Sequence, residues 1–387
     1  MSRRVFTFPA RLAGPEAARP RSRGSVILVV LITIVFATVA LFAFIERASN
    51  DLLVEKRSAD ASRLRLEAYS ALETTIAVLE EFHLANGSLR SPAEGWGDPL
   101  AFAGYTPEEG RKVEITFVDE SGKFSLPNVT QATLVNLFNA WEIPKSESET
   151  LADAILGWMK KDYVAVTAGA PDASEYAREE IPYDAPGRPL RSFDELATIA
   201  VARDVFYGED GQPNELWRRF VNAFSLYSYT TPSVNGASAE TLAGLGVSDA
   251  VQQRQLNEFL GGSGAHARQG PGFFKSPADV SAMFGAQSPA AQLVTQISAL
   301  RIIVTVREAR ASFRLNALIA PPGGAKIPVA SPNQADPTKK PADPEDPNKS
   351  AANSGPEKSA KKLNYPFTVL EFRENDEMPS STTSDRP

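Results

Sequence analysis

The sequence predicts an α+β protein in which a long N-terminal helix packs on a small antiparallel sheet and a large, mostly helical segment is inserted into that sheet. Three observations predict it: an apolar run that continues as a helical pattern, strand-like segments before and after the middle of the chain, and helical periodicity through the middle. With 387 residues, 43% apolar and 22% charged, the chain has the composition of a globular protein of two or three structural units.

The first feature is the boundary at Gly24 between an arginine-rich head and the apolar residues 26–45. This run holds no Asp, Glu, Lys or Arg, and a helix of about 20 apolar residues spans the ~30 Å core of a membrane. Because Lys and Arg next to a span stay in the cytoplasm, the rest of the chain is expected to be exported. A cleavable secretory signal fits less well, since the apolar core of such a signal has only about 7 to 15 residues. An ordinary uncleaved membrane anchor remains an alternative.

The helical pattern continues from residue 46 to 84 without proline or glycine, and Asn86-Gly87 ends it like a C-terminal cap. We therefore predict one helix of about 60 residues that begins in the membrane and ends on a soluble domain, although a coiled-coil stalk has a similar pattern in its first half. Glu67 is expected on the solvated side of this helix. The apolar face predicted for the helix contains Leu64, Ala68, Leu72, Ile76 and Leu79.

The remaining elements follow from local patterns. Residues 88–110 are predicted as loop, and strands at 112–118, 301–307, 311–318 and 365–373. The middle of the chain is predicted to hold helices at 131–141, 147–159, 192–202, 214–222, 239–245, 249–260 and 277–284.

Residues 321–362 contain almost no large apolar side chains and cannot bury enough surface to order themselves. They are predicted to be a disordered excursion from the sheet, because strand character returns after them. The predicted units are a basic leader (1–24), the membrane part of the helix (25–45), the rest of the helix with the first strand (46–123), the helical insertion (124–299), the remaining strands (300–320 and 363–374), the disordered Pro/Lys-rich loop (321–362) and a disordered tail (375–387).

The amino-acid composition argues against several classes of function. The chain has no cysteine, so disulfides and Cys-ligated metals are excluded, and its net charge of −7 argues against a general nucleic-acid binder. His83 and His266 are too sparse for a catalytic cluster and are expected as surface or satisfied side chains. No nucleotide-binding glycine loop or nucleophile elbow occurs, and adjacent acids such as Glu108-Glu109 point in different directions.

The boundary Arg23-Gly24-Ser25 resembles the leader of type IV pilins and type II secretion pseudopilins, which a prepilin peptidase cuts after the glycine, here between Gly24 and Ser25. Most members carry a glutamate at the fifth residue after the cut, where this chain has Val29. That departure resembles the protein K family of minor pseudopilins in type II secretion, which typically lacks the glutamate.

Further segments resemble protein K in the same order along the chain. Residues 119–126 (DESGKFSL) are similar to its D-E-x-G-K-I-N-L segment, and residues 153–158 (DAILGW) to its D-A-L-L-D-W stretch. Residues 233–242 (SVNGASAETL) are similar to K-V-N-V-N-T-A-P-x-E-V-L. The resemblance extends over roughly residues 20 to 320 and resumes at the last strand.

The resemblance implies a pilin-like fold whose helical insertion is SAM-like or helix-hairpin-helix-like, and no enzyme activity. It implies a subunit at the pseudopilus tip, in the bacterial inner membrane with a cytoplasmic N-terminus and a periplasmic ectodomain. The implied partners are minor pseudopilins I and J through the helix face, other type II secretion subunits, prepilin peptidase, the membrane and possible secreted substrates, without nucleic acid. Some members bind calcium, for which Asp162, Asp172 and Glu175 are the candidates here, although Lys160 and Lys161 replace acids.

Three other functions fit part of the same sequence pattern. A type IV pilus minor pilin with an adhesin-like domain shares the leader, and a membrane-anchored periplasmic hydrolase shares the anchor. A DNA-uptake factor is suggested by residues 244–249, which resemble half of a helix-hairpin-helix, but the few nearby arginines favour a packing role for this turn.

Overall fold

The computed structural model of the chain describes residues 23–171, 173–178, 182–247, 249–328 and 366–375. The predicted α+β class is confirmed. Several predicted segments lie wholly or partly outside the described residues: the leader before residue 23, the loop after residue 328 and the tail after residue 375.

The first helix, α1 (Arg23–Asn86), confirms the prediction of one long helix, and Gly87 ends it with a positive φ of 72°. The chain divides into two units within this helix, the first ending at Asp60 and the second beginning at Ala61.

By length and composition, α1 is able to cross a membrane. In its first unit the large apolar side chains are exposed, with Phe36 at 73% as an example. The hydroxyl groups of Thr33 and Thr38 each donate to the carbonyl four residues earlier at 2.8 Å, so neither needs water as a partner.

The strands of the second unit form two sheets. They are β1 (Arg111–Asp119), β2 (Phe124–Ser125), β3 (Phe224–Ser225), β4 (Leu300–Glu308), β5 (Ala311–Ala320) and β6 (Thr368–Glu374). The larger sheet is antiparallel in the order β1-β4-β5-β6, and its four strands confirm the four predicted from alternation. The parallel pair β2-β3 was not predicted, because two residues are too short for any periodicity.

The second half of α1 packs on one face of the larger sheet. Alternate side chains of β4 and β5, such as Ile302, Val304 and Leu315, point to this face and form one core with the helix. The predicted helical face is confirmed as apolar and buried: Leu64, Ala68, Leu72, Ile76 and Leu79 are all at most 4% exposed.

The prediction that Glu67 lies on the solvated side of the helix is wrong. Its carboxylate is buried, lies 3.0 Å from the Arg111 guanidinium of β1 and accepts a hydrogen bond from the Tyr105 hydroxyl. Arg111 also pairs with Glu108 at 2.9 Å and with Glu308 at 3.2 Å. This ionic cluster therefore attaches α1 to the edge strand of the sheet.

The segment between β1 and β4 carries most of the remaining helices. In chain order, and including one short helix before β1, they are α2 (Pro99–Phe102), α3 (Gln131–Ala140), α4 (Lys145–Met159), α5 (Ala173–Tyr176), α6 (Ala200–Phe206), α7 (Glu215–Ala223), α8 (Ala239–Gly244), α9 (Ala250–Gly261) and α10 (Pro277–Phe284). The helix predicted at 192–202 is instead a 3₁₀ helix, Phe193–Thr198, followed by α6, because extended Ile199 separates the two. The expectation that 88–110 is all loop misses α2.

This insertion has two apolar cores of its own. One is aromatic and centres on Phe138, Phe206 and Phe220, and the other joins α8, α9 and α10 around Leu242 and Leu256. The insertion therefore has the internal packing of a substantial domain, placed between two neighbouring strands of one sheet.

Candidate functional site

Residues 119–123 form a buried turn where the chain leaves β1 for the insertion, and we call this turn the joint. Glu120, Ser121 and Gly122 make one 3₁₀ turn, and Asp119 caps it by accepting hydrogen bonds from the backbone N–H and hydroxyl of Ser121 at 2.9 and 2.6 Å. The turn belongs to residues 119–126, one of the segments that resemble protein K in sequence.

Two glycines allow the joint to meet the rest of the insertion. A Cβ on Gly122 would lie 2.0 Å from the carbonyl oxygen of Gly236, and a Cβ on Gly236 would lie 2.5 Å from the Asp119 side chain. Real Cβ atoms do not approach other heavy atoms this closely, so both positions require glycine. The backbones of two segments more than a hundred residues apart are thus in direct contact.

Hydrogen bonds from several elements converge on the same turn. The Ser121 carbonyl accepts from the Ser233 N–H at 2.7 Å, and the Gly122 carbonyl accepts from the Thr241 hydroxyl at 2.8 Å. The Tyr229 hydroxyl reaches the Glu120 and Lys123 carbonyls at 3.0 and 2.9 Å. The joint thereby connects β1 with α8 and the segment that precedes it.

A chain of charges extends from the joint across the sheet. Glu120 lies 3.3 Å from Lys123 and 3.5 Å from Arg301 of β4, and Arg301 lies 3.3 Å from Glu371 of β6. Burial alone would raise the pKa of Glu120, but the positive charges of Lys123 and Arg301 outweigh it and hold this pKa below its usual value. Glu120 is therefore a buried carboxylate that stays ionised because it is paired.

Asp119 has the opposite electrostatic environment. Burial raises its pKa to about 7, although the hydrogen bonds from Ser121 oppose this shift. The adjacent Glu120 carboxylate adds to the rise. Both acids of the joint are buried, but only Glu120 has positively charged partners. The pKa of Asp119 is therefore raised, whereas that of Glu120 is lowered.

Asp153 of α4, the first residue of a second segment that resembles protein K, organises the loop that follows the helix. Its buried carboxylate accepts hydrogen bonds from the Tyr163 hydroxyl at 2.6 Å, from the Val166 N–H at 2.8 Å and from both the N–H and the hydroxyl of Thr167 at 2.7 and 2.8 Å. The Gln131 amide donates at 2.8 Å. Burial opposes ionisation, but these donors hold the pKa of Asp153 below its usual value.

The predicted calcium ligands are not gathered by this arrangement. Asp162 and Glu175 are exposed, and Asp172 lies outside the described residues. Within the described ranges, no three or more His, Asp or Glu side chains gather where they could hold a metal ion. The described part of the predicted ligand set therefore does not fit calcium by itself, and calcium binding stays a prediction.

The other predicted site residues lie in two places, both in α1. Gly24 and Ser25 are in the first turn of α1, where their backbone is helical. The helix face from Leu64 to Leu79 is buried in this chain's own core, so its role in assembly stays a prediction.

The turn after α8 has a direct packing contact. A Cβ on Gly244 would lie 2.5 Å from the Phe124 ring, and Gly246 has a positive φ of 82°. The close approach of Gly244 to Phe124 supports the packing role predicted for the turn.

The two histidines both contact aromatic rings. His83 is half-buried against Phe367, and His266 lies edge-on to Phe259.

A long helix packed on a four-stranded antiparallel sheet, with a helical domain inserted after the first strand, is the pilin-like fold that the sequence predicts. Residues 117–207 match the family described as Type II secretion system (T2SS), protein K. The match covers the joint, Asp153 and the first half of the insertion, about a quarter of the chain. It supports the recognition of the chain as a minor pseudopilin of the protein K type.

Among solved structures, the chain is similar to one from the GspK-GspI-GspJ complex of the enterotoxigenic Escherichia coli Type 2 Secretion System. The two share 12% identity with a TM-score of 0.48, over 83% of this chain and 100% of that one. A comparison with curated protein sequences found no match.

Asp119→Asn should remove a pH dependence of stability. Because the pKa of Asp119 is raised on folding, its contribution is full below the unfolded value near 4 and is lost as pH rises through about 7. The unfolding free energy of the natural chain relative to the variant should therefore fall by up to about 1.4 kcal/mol for each pH unit in this window.

The measurement is urea unfolding of the full chain in detergent, followed by tryptophan fluorescence across this pH range. Asp204→Asn, at an exposed carboxylate, is the control and should leave the pH profile unchanged. A difference between the natural chain and Asp119→Asn that is constant with pH would contradict the assignment.

Asp153→Ala should release the loop after α4. Removing the carboxylate leaves the donors of Tyr163, Val166 and Thr167 without their acceptor, at a cost of about 1–3 kcal/mol for each buried group. Trypsin should then cut after Lys160 and Lys161 at least about tenfold faster than in the natural chain.

Asp204→Ala serves as the exposed control for this digestion, and equal cutting rates in both variants would contradict the anchoring role of Asp153. Repeating the digestion of the natural chain with millimolar calcium or with a chelator tests the calcium prediction. Protection of the loop by calcium alone would support that prediction, and identical rates would oppose it.

Proposed function

We propose that this chain is the minor pseudopilin at the tip of a type II secretion pseudopilus, where it helps to start pseudopilus assembly and supports the export of folded proteins across the outer membrane. The proposal involves no catalytic step. It rests on the protein K match within residues 117–207 together with the fold described above.

The observation that carries the tip position is the insertion between β1 and β4. It has two apolar cores of its own and is attached to the sheet at the joint. A domain of this size beside a pilin sheet would clash with a subunit stacked above it, so it suits the end of a fibre better than its middle.

We propose that α1 is anchored in the inner membrane with its N-terminus in the cytoplasm. The apolar run supports the anchor, and the arginines before it, opposed by the single acid Glu16, support the orientation. The ectodomain would then fold and act in the periplasm.

We also propose that the partners in the fibre are minor pseudopilins I and J. The solved relative was crystallised as a GspK-GspI-GspJ complex, and the family resemblance extends that assembly to this chain as a hypothesis. Since the helix face formed by Leu64, Ala68, Leu72, Ile76 and Leu79 is buried in the fold, contact with partners requires other residues of the helix. Leu66 is 69% exposed and offers an apolar surface for such a contact.

The proposal predicts that the mature chain begins at Ser25, because prepilin peptidase would remove residues 1–24. Mass spectrometry of the membrane-purified chain should show Ser25 as the N-terminus in cells with the peptidase and Met1 in cells without it. Gly24→Val should keep Met1 in both strains, since a side chain at the cut position blocks cleavage. Gly14→Val, a matched change within the leader, should be processed normally.

An intact Met1 in cells that contain the peptidase would make the Gly24 boundary a coincidence and favour a plain membrane anchor.

Deleting the gene distinguishes a type II secretion pseudopilin from a type IV minor pilin. For a pseudopilin, secreted proteins should disappear from the medium while surface pili remain. Loss of pili with normal secretion would instead identify a type IV minor pilin.

Leu66→Glu should reduce copurification with pseudopilins I and J without changing the thermal unfolding midpoint, because this side chain is exposed. Leu84→Glu is the matched control, since Leu84 is also exposed but lies in the last turn of α1. Leu72→Ala should instead lower the unfolding free energy by about 2–5 kcal/mol, because it leaves a cavity in the core.

Copurification and thermal unfolding of the three variants distinguish a contact residue from a core residue. If Leu66→Glu copurifies normally, this part of the helix surface is not the partner contact. If Leu72→Ala loses its partners at a temperature where it remains folded, the buried face takes part in assembly as the sequence predicted.

A further inference from the structure

A cleft of about 840 Å³ lies between the sheet and the insertion, on the side where Arg301 and Glu371 extend from β4 and β6. We call it the joint cleft, because Glu120 and Lys123 of the joint line its inner end. Its opposite wall is formed by α7 and by the segment before α6. The cleft borders the aromatic core of the insertion, against which Phe193, Trp217 and Leu226 pack, and it has no role in the anchor or in the helix face considered above.

One wall of the joint cleft is apolar. Phe193, Trp217 and Leu226 line it from the insertion, each only partly buried, and Leu370 lines it from β6. Ile327 lies at its mouth with 58% of its side chain exposed. Partly exposed aromatic and aliphatic side chains that face one concave surface are typical of binding clefts.

The side chains that line the cleft have a net positive charge, whereas the whole chain has a net negative charge. Five cationic and three acidic side chains line the described cleft, whereas the whole chain has 40 basic and 47 acidic residues. The cationic members are Lys123, Arg188, Arg191, Arg301 and Arg373, and the acidic members are Glu120, Asp194 and Glu371.

These cations are held at different depths. Arg301 is buried at the floor between Glu120 and Glu371, and Arg188 is fixed by Glu195 at 3.1 Å. Arg191 is exposed at the rim. The charges at the floor are therefore paired with one another, while at the rim Arg191 presents a positive charge to an incoming ligand, with the exposed carboxylate of Asp194 three residues further along the chain.

The cleft is also bordered by the last strand of the sheet. β6 is the edge in the order β1-β4-β5-β6, and within the described residues it pairs with β5 alone. An edge strand offers backbone donors and acceptors to an added strand. An extended polypeptide is therefore the ligand shape that this border fits.

We propose that the joint cleft binds an extended, acidic segment of another polypeptide, with its apolar side chains against the Phe193 and Trp217 wall and its carboxylates near Arg191. The acidic character follows from charge complementarity with the cationic rim, and the extended form follows from the β6 edge. This binding site is independent of the pseudopilus tip assignment and of the helix contact with other pseudopilins.

The test uses the full chain in a neutral detergent and a fluorescein-labelled peptide of eight alternating Glu and Leu residues. Fluorescence anisotropy should show binding that weakens as salt is raised. A peptide of alternating Lys and Leu should not bind, because its charge matches that of the rim, and a peptide of alternating Glu and Gly should bind more weakly, because it lacks the apolar contacts.

Variants locate the binding site. Arg191→Glu should weaken binding by about fivefold or more, whereas Arg310→Glu, an exposed arginine that does not line the cleft, should have no effect. Ile327→Ser should also weaken binding, with Val251→Ser as its control, since Val251 is 57% exposed and lies outside the cleft.

The proposal is overturned if no binding is measured at about 100 μM peptide, if the Lys-Leu peptide binds equally well, or if the cleft variants behave like their controls. It is also overturned if binding occurs only after residues 331–362 are replaced by a short Gly/Ser linker, since the cleft would then belong to the chain's own segment. All these measurements use purified protein, so their failure is distinguishable from a failure of the secretion assay.

Discussion

The backbone contact between Gly122 and Gly236 is the constraint on which the rest of the ectodomain depends. At this point the chain leaves the sheet, and the insertion returns to touch it before β4 begins. A Cβ on Gly122 would collide with the backbone of Gly236, and a Cβ on Gly236 would collide with the buried side chain of Asp119, so this close approach requires glycine at both positions. Ser121, Thr241 and Tyr229 then satisfy the polar groups that this close approach buries.

The ionic groups around the joint reinforce the same geometry. Glu120, Arg301 and Glu371 come from the turn, β4 and β6, so Arg301 is paired with both acids only when the three elements are in their native places. A buried ion pair contributes little net stability, but separating its members leaves a buried charge without a partner at a cost of about 3–5 kcal/mol. These charges therefore penalise alternative placements of the insertion more than they stabilise the native one.

The parts of the fold that could be predicted from sequence are those with local signals. The spacing of Leu64, Ala68 and Leu72 identified the buried face of α1, and alternation identified the four strands of the larger sheet. Asn86-Gly87 marked the end of the helix because the cap is formed within a few residues. What failed depends on distant residues: Glu67 is buried because Arg111, 44 positions later, pairs with it, and its own neighbourhood gives no sign of this.

The same limit applies to the candidate sites. Asp153 lay inside a motif, but its function as the acceptor for a whole loop depends on Tyr163 and Thr167, whose positions no periodicity predicts. For the joint, the segments 119–126 and 233–242 were both recognised in the sequence, but nothing in either predicts that Gly122 and Gly236, 114 positions apart, are in contact. The joint cleft is assembled from six separate parts of the chain and has no linear signature.

The strand order described above also determines when the parts of this protein form. Arg111 of β1 pairs with Glu308 of β4 across 197 positions, whereas the insertion between them packs mainly through contacts of shorter range. Long-range pairings form slowly, because the chain entropy must be lost before any contact is gained. We therefore expect the insertion to fold before β1 pairs with β4. The larger sheet would then form last, next to a domain that is already folded.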